Sequence, residues 1–227
     1  MILAFDSSTP WLTVVVGNSQ DIAFQFQCEA RENHSRLLVD VLQQIGESRL
    51  IPSLTGVVVG LGPGSFTGVK IGNMFARGIA YCLELPLYGF STLELMATVV
   101  SEEQVNADRY QVLVPVILHK QDEVFWTELS PDFRSHSPGD TPIGVGSPQE
   151  FLRQHRSEKC LVVTPWTELA GFFSSFGMRC YHPSRSVPHA RGLIELFDLR
   201  CRWYTPDDIR KTISTRGPYY GSRIFET

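Results

Sequence analysis

The sequence lacks the features that would place it at once in several large classes. No apolar run approaches the roughly 18 uncharged residues that a membrane-spanning helix needs, so neither a helical membrane protein nor, with 43% hydrophobic residues, a disordered chain is expected. The five cysteines, Cys28, Cys82, Cys160, Cys180 and Cys201, stand far apart with no CxxC pair. That spacing encodes neither a zinc ribbon nor a dithiol redox site, and reduced thiols in a cytoplasm are the expected state. Positive charge is not in excess either: 20 Lys plus Arg against 24 Asp plus Glu leaves a formal charge of −4. A whole-molecule footprint for nucleic acid is therefore missing, and any RNA contact falls to a local patch or a partner. The opening Met1-Ile2-Leu3-Ala4-Phe5-Asp6 has no positively charged n-region and reads as a strand rather than a signal peptide. What is present, in 227 residues, is an ordinary globular composition sufficient for one large domain or two small ones.

Hydrophobic periodicity organises the first half. Short β-branched or alternating runs at 2–5, 12–16 and 21–28 predict three consecutive strands joined by tight turns. From Arg36 the period changes, and Leu37, Leu38, Val41, Leu42 and Ile45 share one helical face, with Gly46 as the stop. A doubly buried strand at 56–60, a helix ending near Leu83, a strand at 86–89 and a capping box at Ser91-Thr92-Leu93-Glu94 follow. The order is β-β-β-α-β-α-β-α. The second half reads as a smaller α/β unit: a strand pair at 112–118 and 123–129, an exposed connection over 131–148, a capping box at Ser147-Pro148-Gln149-Glu150, a strand at 161–164 and a helix at 190–203. Only a faint internal likeness joins the halves, each of which begins with strands and proceeds to helices.

Two motifs invite a chemical reading. Asp6-Ser7-Ser8-Thr9, after a buried strand, offers hydroxyls and amides for phosphate oxygens and one acid for Mg²⁺; the alternative is a plain turn in which Asp6 accepts from the following amides. The glycine-rich run from Gly60 to Gly68 sits between a strand and a helix, but Val69 stands where a Walker loop needs Lys, and the dinucleotide spacing is absent too. A structural turn fits better, with Ser65 or Thr67 capping the helix and Gly64 and Gly68 at positive φ. Ser65 lacks the glycine two residues on that a nucleophile elbow requires, which argues against a serine hydrolase.

Gly62-Pro63-Gly64-Ser65-Phe66-Thr67-Gly68-Val69-Lys70-Ile71-Gly72, with Asp6-Ser7-Ser8-Thr9 and His34-Ser35-Arg36-Leu37-Leu38 before it, closely resembles the TsaB (YeaZ) family. The likeness is strong over residues 1 to about 100 and fainter at Glu123-Val124-Phe125-Trp126 and Pro218-Tyr219-Tyr220. The resemblance implies an α/β chain with the actin-like ATPase (ASKHA) fold of two ribonuclease-H-like halves, the second smaller and divergent. Residues 1–102 would form the first half, completed by the helix near 190–203; residues 103–187 would form the second, and 204–227 a C-terminal segment. It also implies a non-catalytic subunit of the cytoplasmic complex that makes threonylcarbamoyladenosine at position 37 of tRNA. The chain would support the catalytic TsaD subunit, with TsaE as a third, ATPase partner, tRNA reached only through the complex, and a homodimer when alone. ATP and Mg²⁺ would serve the complex, with no cofactor bound by the isolated chain and no membrane contact. The alternative is an actin-fold nucleotide-binding kinase or ATPase, for which Asp6, Ser7, Ser8 and Thr9 would be the cofactor-binding candidates.

Residue by residue, the catalytic features of such relatives are missing. The first hairpin of the second half carries Leu118 where many actin-like relatives carry an acid, and His34 has Leu38, not a second His, four residues on. His119, His136, His155, His182 and His189 show no ligand spacing, and Cys180 with His182 and His189 falls among prolines in a loop. No metal site and no catalytic residue are expected. A partner surface is expected on the helix after the glycine run, where Gly68, Gly72, Ala76 and Ala80 recur every four residues, flanked by Lys70, Asn73 and Arg77. On this reading Ile71, Met74, Phe75, Ile79 and Cys82 face the core.

Overall fold

The computed structural model describes residues 1–30, 33–101, 110–120, 122–133, 142–155 and 159–203. The expectations for His136 and for 204–227 lie outside them. The chain divides into two units, one of residues 1–92 with the helix that follows 189, the other of residues 93–188.

At the centre of the first unit, β1 (Ile2–Asp6) pairs antiparallel with β2 (Trp11–Gly17) and parallel with β4 (Gly56–Gly60). β3 (Ile22–Glu29) extends the antiparallel side and β5 (Leu87–Phe90) the parallel side, giving the order β3-β2-β1-β4-β5. All five residues of β1 and all five of β4 are buried, as strands covered on both faces require, whereas edge strand β3 alternates with the pleat. Leu3, Phe5, Val57 and Val59 form one core with α1 (His34–Glu47) and α2 (Phe66–Cys82). The helix α6 (Ala190–Trp203) lies against β1, β2 and β3, and its Phe197 meets Tyr88 edge-on at 5.2 Å.

The second unit repeats this connectivity. β6 (Val112–Lys120), β7 (Glu123–Trp126) and β8 (Gly144–Gly146) run antiparallel, and β9 (Cys160–Val163) and β10 (Arg179–Cys180) continue parallel from β6. The order β10-β9-β6-β7-β8 is that of the first sheet: a three-stranded meander extended by two parallel strands. Two ribonuclease-H-like halves in one chain make the actin-like ATPase architecture. α4 (Pro148–His155) starts at the capping box, the Ser147 amide donating to Glu150 Oε2 at 2.7 Å and the Glu150 amide to Ser147 Oγ at 3.2 Å. Its Phe151 packs on Phe173 of α5 (Thr167–Ser175), with ring centroids 4.7 Å apart. Among the described residues no helix is long and apolar enough to cross a membrane.

The division falls after residue 92, ten residues earlier than the sequence suggests. All of α3 (Thr92–Ala97) but its first residue, and the turn beyond it, belong to the second unit, because Ala97 and Val100 pack with Leu113, Leu129, Leu161 and Val163. Phe173 is fully buried at the centre of the other core of that unit. Phe173→Ala should therefore lower stability by about 3 to 5 kcal/mol, read from urea denaturation followed by far-UV circular dichroism.

Candidate functional site

The end of β1 meets the glycine-rich run in a tight polar junction. Asp6 is 2% exposed, and Ser7, Ser8 and Thr9 are equally buried. Asp6 Oδ1 accepts the Ser8 amide at 2.7 Å and the Ser8 hydroxyl at 2.5 Å, while Oδ2 accepts the Thr92 hydroxyl at 2.6 Å. The turn therefore folds on its own acid. The rest of the loop reaches outward to neighbouring elements: the Ser65 amide donates to the Ser8 carbonyl at 2.7 Å, the Ser7 hydroxyl to the Gly68 carbonyl at 2.8 Å, and the His34 ring, through Nε2, to the Thr9 carbonyl at 2.9 Å. Ser65 caps α2 as expected, its side chain accepting from the Gly68 amide at 3.3 Å.

This junction corrects the expected role of two glycines. Gly64 and Gly68 do not carry positive φ; Gly62 does, at 84°, next to a cis bond to Pro63. Gly64 and Gly68 are required because a Cβ on either would overlap the carbonyl of Ser8 or of Ser7.

The faces of α2 correct part of the expectation: Ile71, Phe75 and Ile79 pack on the core as expected, Met74 and Cys82 are exposed, and the small-residue stripe is not free. Gly68, Gly72, Asn73, Ala76 and Ala80 are buried within this chain, against the β1 loop and β4, and so do not form a free partner surface. A Cβ at Gly72 would lie 2.5 Å from Ser7 Oγ and 3.6 Å from Val59 Cγ2. Asn73 faces inward with its amide donating to the Val69 carbonyl at 3.0 Å. Of the expected interface residues only Arg77 is exposed. Other large apolar residues face solvent: Met74 is 64% exposed and Tyr81 86%, with Phe66 and Leu83 exposed on the same helix and its C-cap, and Val39 on α1. Between α1 and α2 lies an open apolar cavity of about 540 Å³, lined by Leu42, Met74, Phe75, Gly78, Ile79 and Cys82 among others.

A family model described as "TsaD: tRNA N6-adenosine threonylcarbamoyltransferase" matches residues 28–129. The Escherichia coli protein named tRNA threonylcarbamoyladenosine biosynthesis protein TsaB is 33% identical over 171 residues, 73% of this chain and 71% of that protein. The chain belongs to the TsaB family. A Bacillus subtilis protein of the same name is 33% identical over 98 residues, 42% of this chain and 43% of that one. Among solved structures, YeaZ from Pseudomonas aeruginosa superposes with a TM-score of 0.66 at 20% identity, covering 92% of this chain and 97% of that one, which supports the fold.

Within the family frame, the remaining candidates find structural partners. His34, buried at the start of α1, fastens that helix to the first loop, with Leu38 buried one turn on. Leu118 pairs with Val124 in the β6–β7 hairpin and packs on the core of the second unit, so that hairpin brings no acid at this position. His155 stacks on Phe151 and bonds the Phe151 carbonyl at 3.0 Å and Glu128 at 2.9 Å. His182 bonds the Ser184 hydroxyl, His189 Nδ1 accepts from the Gly192 amide, and Cys180 Sγ donates to the Ala170 carbonyl at 3.6 Å. Burial pushes the Cys180 thiol up, which disfavours a thiolate nucleophile. Among the described residues no group of three or more His, Cys, Asp or Glu is placed to hold a metal.

The inward stripe makes Gly72 a packing residue. Gly72→Leu should destabilise the isolated protein by about 1 to 3 kcal/mol or more, through overlap with Ser7 and Val59. A denaturant midpoint unchanged from the parent would mean that α2 faces the sheet differently.

Proposed function

We propose that this chain is a non-catalytic subunit of the machinery that makes threonylcarbamoyladenosine at position 37 of tRNA, and that it supports the catalytic TsaD subunit by pairing with it. The observation that carries the reading is the apolar cavity between α1 and α2, together with the large apolar side chains exposed on those helices. Met74 lines the cavity, and Val39, Phe66 and Tyr81 are exposed elsewhere on the same two helices, in a chain whose relatives are named for this biosynthesis. Exposed apolar surface of this kind on a protein with a net charge of −4 supports a protein contact. Charged residues are exposed on the same helices, Arg36, Asp40 and Glu47 on α1 and Lys70 and Arg77 on α2, and could serve as the polar surround of such a contact.

TsaD is the occupant favoured by the match of its family model to residues 28–129, which span both helices of the groove. Two chains with similar helices can pair as two copies would, each presenting the same kind of face. The isolated chain, with no partner over that face, pairs with itself; TsaE joins the assembled pair, and tRNA, ATP and Mg²⁺ are handled by the complex in the cytoplasm. Leu118 packs on the core of the second unit and the Asp6 carboxylate is engaged by its own loop, which supports the non-catalytic reading.

The test separates folding from association. Met74→Asp changes an exposed side chain, so its thermal melt should stay within a degree or two of the parent, while the charge placed in an apolar contact should weaken co-purification with TsaD at least tenfold. Arg77→Ala, on the solvated rim, should act more weakly and mainly on the association rate. Full binding of TsaD by Met74→Asp would place the interface elsewhere.

A further inference from the structure

The Asp6-Ser7-Ser8-Thr9 loop occupies the place where an actin-like fold receives nucleotide phosphate and Mg²⁺, and its residues do not fit that group. Both oxygens of the Asp6 carboxylate are engaged: Oδ1 by the amide and hydroxyl of Ser8, Oδ2 by the hydroxyl of Thr92. The two hydroxyls are themselves 2.6 Å apart. The carboxylate also lies over the backbone of β4, where a Cβ at Gly60 would overlap Oδ2. Mg²⁺ demands near-octahedral oxygen ligands at about 2.0 to 2.1 Å and keeps several waters. An acid enclosed by two hydroxyls, an amide and a strand leaves no approach for a hydrated ion. The other phosphate-facing groups are turned inward as well, the Ser7 hydroxyl onto the Gly68 carbonyl and the Ser8 carbonyl onto the Ser65 amide.

We propose that Asp6 is a positioning residue: its carboxylate fastens Ser8 to Thr92, closes the loop to phosphate and Mg²⁺, and fixes the point at which the chain leaves its first unit. Thr92 is the last residue of that unit before the chain passes into the second. It is held twice, by its hydroxyl on Asp6 and by its amide on the Gly62 carbonyl at 2.8 Å. A buried carboxylate is stable only when its lone pairs are satisfied, so the three donors and the acid hold one another in place. The glycine-rich run is drawn into the same junction through Gly60, Gly62 and Ser65.

The test compares Thr92→Val, which keeps the side-chain shape without the hydroxyl, with Thr92→Ser, which keeps the hydroxyl. Thr92→Val should melt below the parent and Thr92→Ser close to it. Asp6→Asn combined with Thr92→Val should cost no more than the larger single change, because both cut the same bond. Hydrogen exchange at the Thr92 amide should rise in Thr92→Val and not in Thr92→Ser. Mg²⁺ with ATP should leave the melt of the full-length parent unchanged. Equal melting of Thr92→Val and Thr92→Ser, or additive effects of Asp6→Asn and Thr92→Val, would overturn the proposal. A rise in the parent's melting temperature with Mg²⁺ and ATP that Asp6→Asn removes would overturn it too, in favour of a metal-binding Asp6. If Asp6→Asn does not fold, the two Thr92 variants and the nucleotide titration of the parent still decide.

Discussion

The first unit depends on the burial of one carboxylate. Asp6 sits at the end of a strand whose five residues are all enclosed, where an acid without donors would cost several kcal/mol. The donors come from two places far apart in sequence, the next turn and the start of α3, and satisfying the acid brings both against the end of β4. Once the loop is drawn in, its carbonyls lie almost on the axis of approach of α2. Small residues at 60, 64, 68 and 72 are the geometric consequence, because each position has loop or acid atoms where a side chain would begin. The glycine-rich run thus reports how closely the helix approaches the strand end, and no anion is needed to account for it.

That close approach divides the apolar residues of α2. Gly68, Gly72, Ala76 and Ala80 seat the helix, and Ile71, Phe75 and Ile79 pack on the core beside them. Met74 and Tyr81 stand outside that contact and meet solvent in the isolated chain. In an ordinary surface helix the apolar stripe faces the core and the polar stripe faces water. Here the inner stripe is satisfied within the chain, while the outer face mixes Phe66, Met74 and Tyr81 with Lys70 and Arg77, more large apolar surface than such a helix usually exposes.

Much of the first unit was legible. Five strands and the two long helices fall within a residue or two of where periodicity puts them, since a strand buried on both faces and a helix of regular apolar spacing leave unambiguous patterns. The capping box before α4 and Ser65 as the cap of α2 were legible because a cap depends on a local spacing. The faces of α2 were not. Small and large apolar residues both count as hydrophobic, and which set packs inward is decided by the carbonyls of Ser7 and Ser8, more than fifty residues upstream. The repeat of topology in the second unit was implied by the family resemblance but not legible in periodicity, because β8 and β10 are three and two residues long and have no period to read. The unit boundary was missed for a related reason: Ala97 and Val100 announce their core only through contacts with Leu113 and Leu161.

The two halves share a strand order and differ in what their first hairpins present. In the first, the acid at the end of β1 is closed on its own loop; in the second, Leu118 near the end of β6 pairs with Val124 and packs on the core. A chain that keeps the architecture while its polar loops are turned inward retains one asset that an isolated fold does not require, the apolar surface of α1 and α2. That surface lies within residues 28–129, the stretch matched by the model of the catalytic TsaD family, and the match begins beyond the Asp6 loop. The likeness to that family therefore runs through α1 and α2.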